Sequence, residues 1–213
     1  MLERFRHFWT NVWAPVGDLL LRWGVSPNAV TVVGTLGVCA GALVCFPQGW
    51  LLAGFLVIVA FVFSDMIDGY MARTSGQMTS FGAFLDSTLD RIGDAAIFGG
   101  LALYYVGPGD SEWRAALAIY CLTMGSVTSY ARARAESLGM QAKVGIAERS
   151  DRLVSILFMT GLADLLRTLG VGDGVMWLIP VMLGVLAVAS TVTVVQRVLV
   201  VRRQSLALGP TTE

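Results

Sequence analysis

Residues 62–73 read VFSDMIDGYMAR, and residues 82–90 read GAFLDSTLD. Both stretches belong to apolar runs of helical length, yet they carry four carboxylates. These are Asp65, Asp68, Asp86 and Asp90. Inserting one carboxylate at the centre of a membrane helix costs about 2.5–3.5 kcal/mol, so four would cost about 10–14 kcal/mol. A cost of that size rivals the stability of a whole domain, so another group must neutralise these charges.

The spacing of the four aspartates predicts that they form one site. Asp65 and Asp68 are three residues apart and Asp86 and Asp90 are four apart, so each pair shares a helix face. The short segment 73–81 makes the two helices antiparallel neighbours, and the two pairs can then converge. Ligand sets made only of carboxylate oxygens select hard cations such as Mg²⁺, Mn²⁺ or Ca²⁺. Four carboxylates are enough to hold two such ions for a phosphoryl displacement.

An alternative is that the aspartates form ion pairs with arginines inside a helix bundle. Arg73 and Arg91 are close enough in sequence for two such pairs, but two carboxylates would then remain without a cation. Asp94 follows Arg91 by three residues on the same helix. We expect Asp94 to be a structural partner of an arginine and not a further metal ligand.

The composition indicates that the surrounding solvent is a lipid bilayer. Hydrophobic residues make up 55% of the chain and charged residues only 14%, whereas a soluble domain has about 25% charged residues. A membrane helix needs about 20 apolar residues, so the chain has room for about six spans and no large extramembrane domain. We therefore predict an all-α membrane protein with six transmembrane helices preceded by an amphipathic interfacial helix. The formal net charge is zero, which gives no basis for binding nucleic acid.

Turn residues and apolar runs predict where the segments begin and end. Residues 1–25 alternate arginines with aromatic and aliphatic residues at helical spacing, as an amphipathic juxtamembrane helix does. The six-helix transmembrane domain is expected at 26–203, with a polar cytoplasmic tail at 204–213. The predicted spans are 28–46, 50–72, 82–106, 113–134, 152–169 and 175–201.

Basic residues predict the orientation, because Lys and Arg accumulate on the cytoplasmic side of a membrane protein. With a cytoplasmic N-terminus, and with Arg91 inside the third span set aside, 12 basic residues lie on the cytoplasmic side. Only Arg114 and Arg167 lie outside. We expect a multi-pass protein of the cell membrane, with both termini and the aspartate site facing the cytoplasm.

The aspartates belong to a longer pattern, D-x-x-D-G-x-x-A-R, eight residues, then G-x-x-x-D-x-x-x-D, which residues 65–90 contain in full. This pattern resembles the motif of the CDP-alcohol phosphotransferase family. The resemblance implies that an alcohol hydroxyl attacks the phosphorus next to the lipid or alcohol part of a CDP-linked donor, and that CMP leaves. It also implies two divalent ions, expected to be Mg²⁺ with Mn²⁺ as an alternative, and assigns the base that deprotonates the hydroxyl to Asp90. The implied metal ligands are Asp65, Asp68, Asp86 and Asp90.

The same resemblance implies a site for the donor, which we expect to be CDP-diacylglycerol. Gly69 has no side chain, so a nucleotide can approach the backbone there. Gly82 and Ala72 are small enough to let two membrane helices come close. The residues implied to bind CDP-diacylglycerol are Asn28, Ala29, Val30, Thr31, Gly69, Arg73 and Thr79. A homodimer is a further expectation from the family.

Arginines at the cytoplasmic ends of three later spans predict a pocket for a phosphate, because guanidinium groups match phosphate in both charge and geometry. They are Arg132, Arg152 and Arg197. An alternative is that they only follow the positive-inside rule. Residues 130–153 are also similar to the actinobacterial phosphatidylinositol phosphate synthases, a branch of the family. That similarity implies that the acceptor is an inositol phosphate whose phosphate the three arginines hold.

Three functions remain open at this point. The first is the transfer of a phosphatidyl group from CDP-diacylglycerol to inositol phosphate, and the second is the same transfer to glycerol 3-phosphate, giving phosphatidylglycerophosphate. Both acceptors carry a phosphate, so the arginines do not separate them. The third, of a different class, is a divalent-cation transporter with the aspartates as its ion path. Transport alone does not require Gly69, Ala72, Arg73 and Gly82 at their spacings.

Overall fold

Ser26 begins the first long helix of the protein. In the computed structural model, which describes residues 14–208, the Ser26 hydroxyl accepts a hydrogen bond from the Ala29 N–H at 3.2 Å. Pro27 occupies the first helical turn, where a missing N–H removes no helical hydrogen bond. We name this helix α2 (Pro27–Ala40), because residues 14–22 form an earlier helix, α1. Residues 1–13 of the predicted juxtamembrane helix lie outside the described residues.

Beyond Ala40 the chain stays helical, first with a π-helical turn, which is wider than an α-helix, and then with a 3₁₀ turn, which is tighter. Gly41–Cys45 is a π-helical turn and Phe46–Gln48 a 3₁₀ turn. Gly49 then adopts a left-handed conformation, with φ of 80°, and reverses the chain. This agrees with the predicted first span and its turn, although the sequence did not predict the π-helical turn.

The second apolar run forms two helical segments, α3 (Leu51–Val62) and α4 (Ser64–Thr74), and not the single helix that we predicted. The Ser64 hydroxyl donates to the carbonyl oxygen of Phe61 at 2.6 Å. The N–H of Met66 bonds to the Phe63 carbonyl three residues earlier, as in a 3₁₀ turn. Such back-bonding by a serine bends or interrupts a helix, so the D-x-x-D-G sequence begins a helical segment of its own.

Four further helices occupy the positions of the last four predicted spans, and that all of them cross a membrane stays a prediction. They are α5 (Ser80–Val106), α6 (Glu112–Ser137), α7 (Arg149–Thr168) and α8 (Leu178–Leu208), with a 3₁₀ turn at Asp173–Trp177. Residues 14–208 contain no strand. Helix α8 continues to Leu208, past residue 203, where we expected the polar tail to begin, and residues 209–213 lie outside the described part.

Within residues 14–208, three helical stretches are long and apolar enough to cross a membrane, namely Pro27–Gln48, Leu51–Thr74 and Asp173–Ala207. The prediction of an all-α membrane protein is confirmed at this level. Helices α5, α6 and α7, of 27, 26 and 20 residues, also have the length of a span. Each carries charged residues, which lower its mean hydropathy.

The chain divides into two units between Gly100 and Leu101. In the first unit, glycines bring α2 close to the second apolar run. A Cβ atom added at Gly34 would collide with the Ser64 side chain, and one added at Gly37 would collide with the Phe61 ring. Membrane helices pack closely where such small residues meet, so Gly37 determines how near α2 lies to α3, and Gly34 how near it lies to α4.

The second unit is built mainly from α6, α7 and α8. Its interior contains the expected apolar side chains, such as Ile156 and Leu183, both fully buried. It also contains buried polar and charged groups, which are Thr128, Arg152, Thr160, Ser190, Thr193 and Arg197. Buried charges are rare in membrane helices and mark functional sites more often than structural ones.

Candidate active site

A pocket of about 830 Å³ lies in the first unit, where the start of α2, the C-terminal half of α4 and the start of α5 meet. Its volume falls within the range of about 300–1,000 Å³ that is usual for small-molecule sites. The lining residues are Pro27, Asn28, Thr31, Met66, Asp68, Gly69, Ala72, Arg73, Gln77, Met78, Thr79, Ser80, Gly82, Ala83 and Asp86. The pocket thus combines carboxylates, an arginine, small residues and the N-terminus of a helix.

Five of the seven residues predicted for the nucleotide line this pocket. They are Asn28, Thr31, Gly69, Arg73 and Thr79. Ala29 and Val30 lie in the first turn of α2 and are not among the lining residues. Positions three apart share a helix face and the positions between them do not, so Asn28 and Thr31 reach the pocket together.

Gly82 lies where the start of α5 comes close to the start of α2. Its N–H donates to the Thr79 hydroxyl at 2.9 Å, so Thr79 caps the helix. A Cβ atom added at Gly82 would lie 3.2 Å from Thr79 Oγ1 and 3.3 Å from Asn28 Oδ1. The side chains of Thr79 and Asn28 therefore both lie close to this glycine, and a larger residue at position 82 would push them apart.

Arg73 is the positively charged residue among those that line the pocket. Its side chain lies over Gly69, one turn earlier on α4, where an added Cβ atom would be 3.4 Å from Arg73 Nη1. Arg73 is also in the last turn of α4, where the helix dipole favours a cation. An exposed guanidinium at the edge of a pocket can bind phosphate oxygens with two parallel hydrogen bonds.

The structure brings two of the four aspartates to this pocket. Asp68 is only 7% exposed and Asp86 is exposed, and both line the pocket. Asp90 lies one turn further along α5 and is half-buried, with its Oδ2 atom 4.0 Å from Nη2 of Arg91. The backbone of Asp65 is in α4, but its side chain lies outside the described residues.

Metal-ligating side chains are not grouped tightly in the part of the chain that the structure describes. Among those side chains, no group of three or more His, Cys, Asp or Glu residues is arranged to hold a metal ion. The convergence of all four aspartates therefore stays a prediction. The donors at the pocket, Asp68 and Asp86, are carboxylate oxygens, and this chemistry fits a hard divalent cation.

Arg91 bridges two carboxylates on α5. Its Nη1 atom is 3.5 Å from Asp94 Oδ2, and Asp94 is 5% exposed. Asp94 thus pairs with an arginine, as its spacing predicted. The alternative of ion pairing concerned the four aspartates of the pattern, and of these Asp90 lies at the edge of the same charge cluster.

Several lining residues were not predicted from the sequence. Gln77, Met78 and Ser80 flank Thr79 in the segment between α4 and α5, and Met66 precedes the second aspartate by two residues. The only available signal was their position in the short connection between the two motif halves, because none of these residue types is diagnostic of a site.

The three predicted phosphate-binding arginines are all in the second unit. Arg152, in the first turn of α7, is 2% exposed, and its guanidinium packs against α6. A Cβ atom added at Gly125 would be 2.8 Å from Arg152 Nη1 and 3.0 Å from Cζ. Gly125 therefore makes the space that this guanidinium occupies.

Arg197 of α8 reaches the same face of α6. It is 6% exposed, and its guanidinium donates to the carbonyl oxygen of Thr128, one turn after Gly125. Arg132, one turn further, pairs with Glu136 at 3.0 Å and is partly exposed. The three arginines thus follow one face of α6 over about two turns, which concentrates positive charge there.

Taken together, these features define an all-helical membrane protein with a pocket of mixed charge in one unit and buried guanidinium groups in the other. Comparison with known proteins identifies its family. The chain belongs to the CDP-alcohol phosphatidyltransferase family, whose model matches residues 24–195. Membership makes the chain a transferase, and the matched region includes the aspartate pattern at residues 65–90.

Individual relatives cover almost the whole chain. A protein of Cutibacterium acnes named phosphatidylinositol phosphate synthase is 49% identical over 203 residues, which is 95% of this chain and 98% of that protein. A crystal structure of the Mycobacterium tuberculosis phosphatidylinositol phosphate synthase with CDP-DAG bound has a TM-score of 0.82 at 39% identity, covering 90% of this chain and 94% of that one. A second crystal structure of the M. tuberculosis protein, in complex with manganese and citrate, has a TM-score of 0.78 at 40% identity and covers 88% and 87% of the two chains.

Proposed function

We propose that the protein transfers a phosphatidyl group from CDP-diacylglycerol to an inositol phosphate, forming phosphatidylinositol phosphate and CMP. The observation that carries this proposal is the 49% identity with a phosphatidylinositol phosphate synthase over nearly the full length of both chains. The pocket in the first unit supports it, because five residues that the family resemblance assigns to CDP-diacylglycerol line one cavity.

The donor nucleotide binds in this pocket. Arg73 holds the pyrophosphate, since it is the exposed cation of the lining and its guanidinium lies over Gly69. The start of α2 adds the positive end of a helix dipole, which favours an anion, and Asn28 and Thr31 lie on the face that lines the pocket. Thr79 completes the set, and Ala29 and Val30, whose N–H groups bond to Ser26, form the helical turn that places Asn28 and Thr31.

Replacing Gly82 with alanine is expected to raise the KM for CDP-diacylglycerol about three- to tenfold, because the added Cβ crowds Thr79 and Asn28 and disturbs hydrogen bonds of about 1 kcal/mol each. Steady-state kinetics with the donor varied would measure this. Gly93→Ala on the same helix is the matched control, since its added Cβ would make only an ordinary contact, 3.8 Å from Val38. Equal behaviour of the two variants would contradict the placement of the nucleotide.

The metal ligands proposed are Asp65, Asp68, Asp86 and Asp90, holding two divalent ions. Mg²⁺ is the proposed ion and Mn²⁺ an alternative, supported by the oxygen-only donors and by the manganese in the M. tuberculosis structure. When bound, such ions neutralise negative charge on the pyrophosphate and on the leaving group. The buried carboxylate of Asp68 gives the site a fixed anionic ligand inside the helix pair.

The proposed reaction is a displacement at the phosphorus that bears the diacylglycerol. An acceptor hydroxyl forms the new P–O bond, and the bond to the bridging oxygen breaks, so that CMP leaves with that oxygen. The Asp90 carboxylate takes the proton of the attacking hydroxyl. Arg73 and the start of α2 hold the phosphates in place while the bonds change.

The acceptor is an inositol phosphate, whose phosphate group binds Arg132, Arg152 and Arg197. Two of these guanidiniums are almost fully buried, where a charge-assisted hydrogen bond is stronger than in water. Positive-inside topology alone does not require arginines to be buried, so their burial favours a ligand role.

The protein crosses the membrane six times, with α1 as an interfacial helix and with both termini and the aspartates on the cytoplasmic side. Supporting this, the two arginines assigned to the outside already have partners within the second unit. Arg114 lies 4.2 Å from the centre of the Trp177 ring, and Arg167 pairs with Asp173 at 2.9 Å. A homodimer is proposed from the family resemblance, with small residues of α5 and α6 as candidate contacts.

The acceptor can be tested with purified protein in detergent, CDP-diacylglycerol and Mg²⁺. We expect CMP release with inositol phosphate and at least tenfold less with glycerol 3-phosphate at equal concentration, because a site that hydrogen-bonds the ring hydroxyls of inositol would leave its polar groups unpaired with the smaller acceptor. Preferential release with glycerol 3-phosphate would indicate phosphatidylglycerophosphate synthesis. Divalent-cation flux into liposomes without any CMP release would support the transporter alternative.

A further inference from the structure

The segment 138–148, which joins α6 to α7, is fastened to α8 at its beginning by a reciprocal pair of hydrogen bonds. The N–H of Gln141 donates to Gln204 Oε1 at 2.9 Å, and Gln204 Nε2 donates to the carbonyl oxygen of Gln141 at 2.6 Å. One side-chain amide thus satisfies both polar groups of a loop residue, in the way that a neighbouring strand would.

Two more contacts fasten the same segment further along. Arg197 Nε donates to the carbonyl oxygen of Val144 at 3.0 Å, and the N–H of Ala147 donates to Thr193 Oγ1 at 3.3 Å. Ala147 is almost fully buried, so the segment is packed against the unit and is not an open loop.

The three α8 residues that make these contacts form one stripe. Thr193, Arg197 and Gln204 are four and seven residues apart, so they share one face of the helix. The segment follows this stripe in the opposite direction to α8, because its first contact is with Gln204 and its last with Thr193. It is therefore a strap of fixed register along the helix.

The strap determines where the Arg197 guanidinium lies. That group is held by two main-chain carbonyls, one from Val144 in the strap and one from Thr128 in α6. Carbonyl oxygens orient a guanidinium without neutralising its charge. A shift of the strap would move the Val144 carbonyl and release one side of the guanidinium.

We propose that Gln204 is a positioning residue for the acceptor phosphate: it fastens the strap, residues 138–148, to α8 and so fixes Arg197 through the Val144 carbonyl. The inference rests on the proposed function, because it takes Arg197 to bind the acceptor. It adds a residue in the last two turns of α8 that does not touch the phosphate and yet determines how well the phosphate binds.

The test compares Gln204→Ala with the unaltered protein in steady-state assays with CDP-diacylglycerol and inositol phosphate. We expect the KM for inositol phosphate to rise about three- to tenfold, while kcat and the KM for the donor change less than about twofold. Amide hydrogen exchange at residues 141–147 should become faster, because the fastening at the start of the strap is lost. Gln204→Glu keeps the oxygen that accepts from the Gln141 N–H and should give an intermediate effect.

The neighbouring Ser205→Ala is the matched control, because Ser205 is exposed and lies on a different side of α8. Faster exchange in the strap with an unchanged acceptor KM would overturn the proposal, as would equal rises in both KM values. If the unaltered protein releases no CMP with inositol phosphate, the proposed function fails instead, so the two failures can be told apart.

A double-mutant cycle tests whether Gln204 acts through Arg197. The Arg197→Lys variant lacks the guanidinium that Val144 holds. Adding Gln204→Ala to it should raise the KM for inositol phosphate less than about twofold above that of Arg197→Lys alone. Fully additive effects would mean that Gln204 acts by another route, and would contradict the proposal.

Discussion

Replacing Asp90 with asparagine is expected to reduce CMP release at least about 10³-fold, because general-base catalysis contributes about 10²–10⁴-fold and the change also removes a proposed metal ligand. The side-chain volume is almost unchanged, so the fold should be retained. The measurement is initial CMP release at saturating CDP-diacylglycerol and inositol phosphate, with thermal unfolding as a check on folding.

The neighbouring ion pairs offer a competing explanation for such a loss. Asp90 Oδ2 lies 4.0 Å from Arg91, and Arg91 also pairs with Asp94 at 3.5 Å. If Asp90 served only to balance Arg91, Arg91→Gln would be equally harmful, and Asp90→Asn combined with Arg91→Gln would recover activity. We expect Arg91→Gln to lower the stability, because buried Asp94 loses its arginine, yet to lose much less activity than Asp90→Asn, and the double variant to remain inactive. Recovery in the double variant would remove the base assignment.

Replacing Arg152 with alanine is expected to raise the KM for inositol phosphate about 10²-fold while the KM for CDP-diacylglycerol changes little. Hydrogen bonds to a charged group contribute about 1.5–3 kcal/mol, and two of them acting together account for an effect of that size. Kinetics with each substrate varied in turn would measure the split. Similar rises in both KM values would count against the acceptor role.

Two further variants separate a phosphate contact from a loss of packing. Gly125→Ala leaves Arg152 in the chain but places a Cβ atom 2.8 Å from its Nη1, so the guanidinium must move. Gly125→Ala should therefore also raise the KM for inositol phosphate, but by less than Arg152→Ala does. Arg134→Ala is the charge-matched control, because Arg134 is exposed and its guanidinium donates to the Ser137 hydroxyl on the same helix. A comparable effect at Arg134 would mean that general positive charge, and not a specific site, attracts the acceptor.

Local spacing predicted the features that depend on a single helix or on two consecutive ones. Asp68, Gly69 and Arg73 are on neighbouring turns of α4, and Asp86 follows after a short connection, so their common pocket could be inferred from helix geometry. The same geometry shows why Ala29 and Val30 do not line the pocket. The prediction used the whole stretch, whereas only Asn28 and Thr31, three residues apart, share the face that lines it.

Features that depend on distant contacts could not be predicted. The interruption after Val62 follows from the Ser64 hydroxyl turning to the Phe61 carbonyl, and a serine inside a helix also makes such bonds without breaking it. The two carbonyls that hold Arg197 come from residues 53 and 69 positions away. No periodicity in the sequence encodes a pairing between a side chain and a main-chain oxygen at that separation.

The close contact of Gly34 with Ser64 has a consequence for the nucleotide pocket. Gly34 lies six residues after Asn28, which is about 9 Å along a rigid helix. Any side chain at position 34 would collide with Ser64 and push α2 away from α4, which would move Asn28 relative to the α4 residues that line the pocket. A buried position that has no side chain and does not line the pocket therefore helps to determine the width of the proposed nucleotide site.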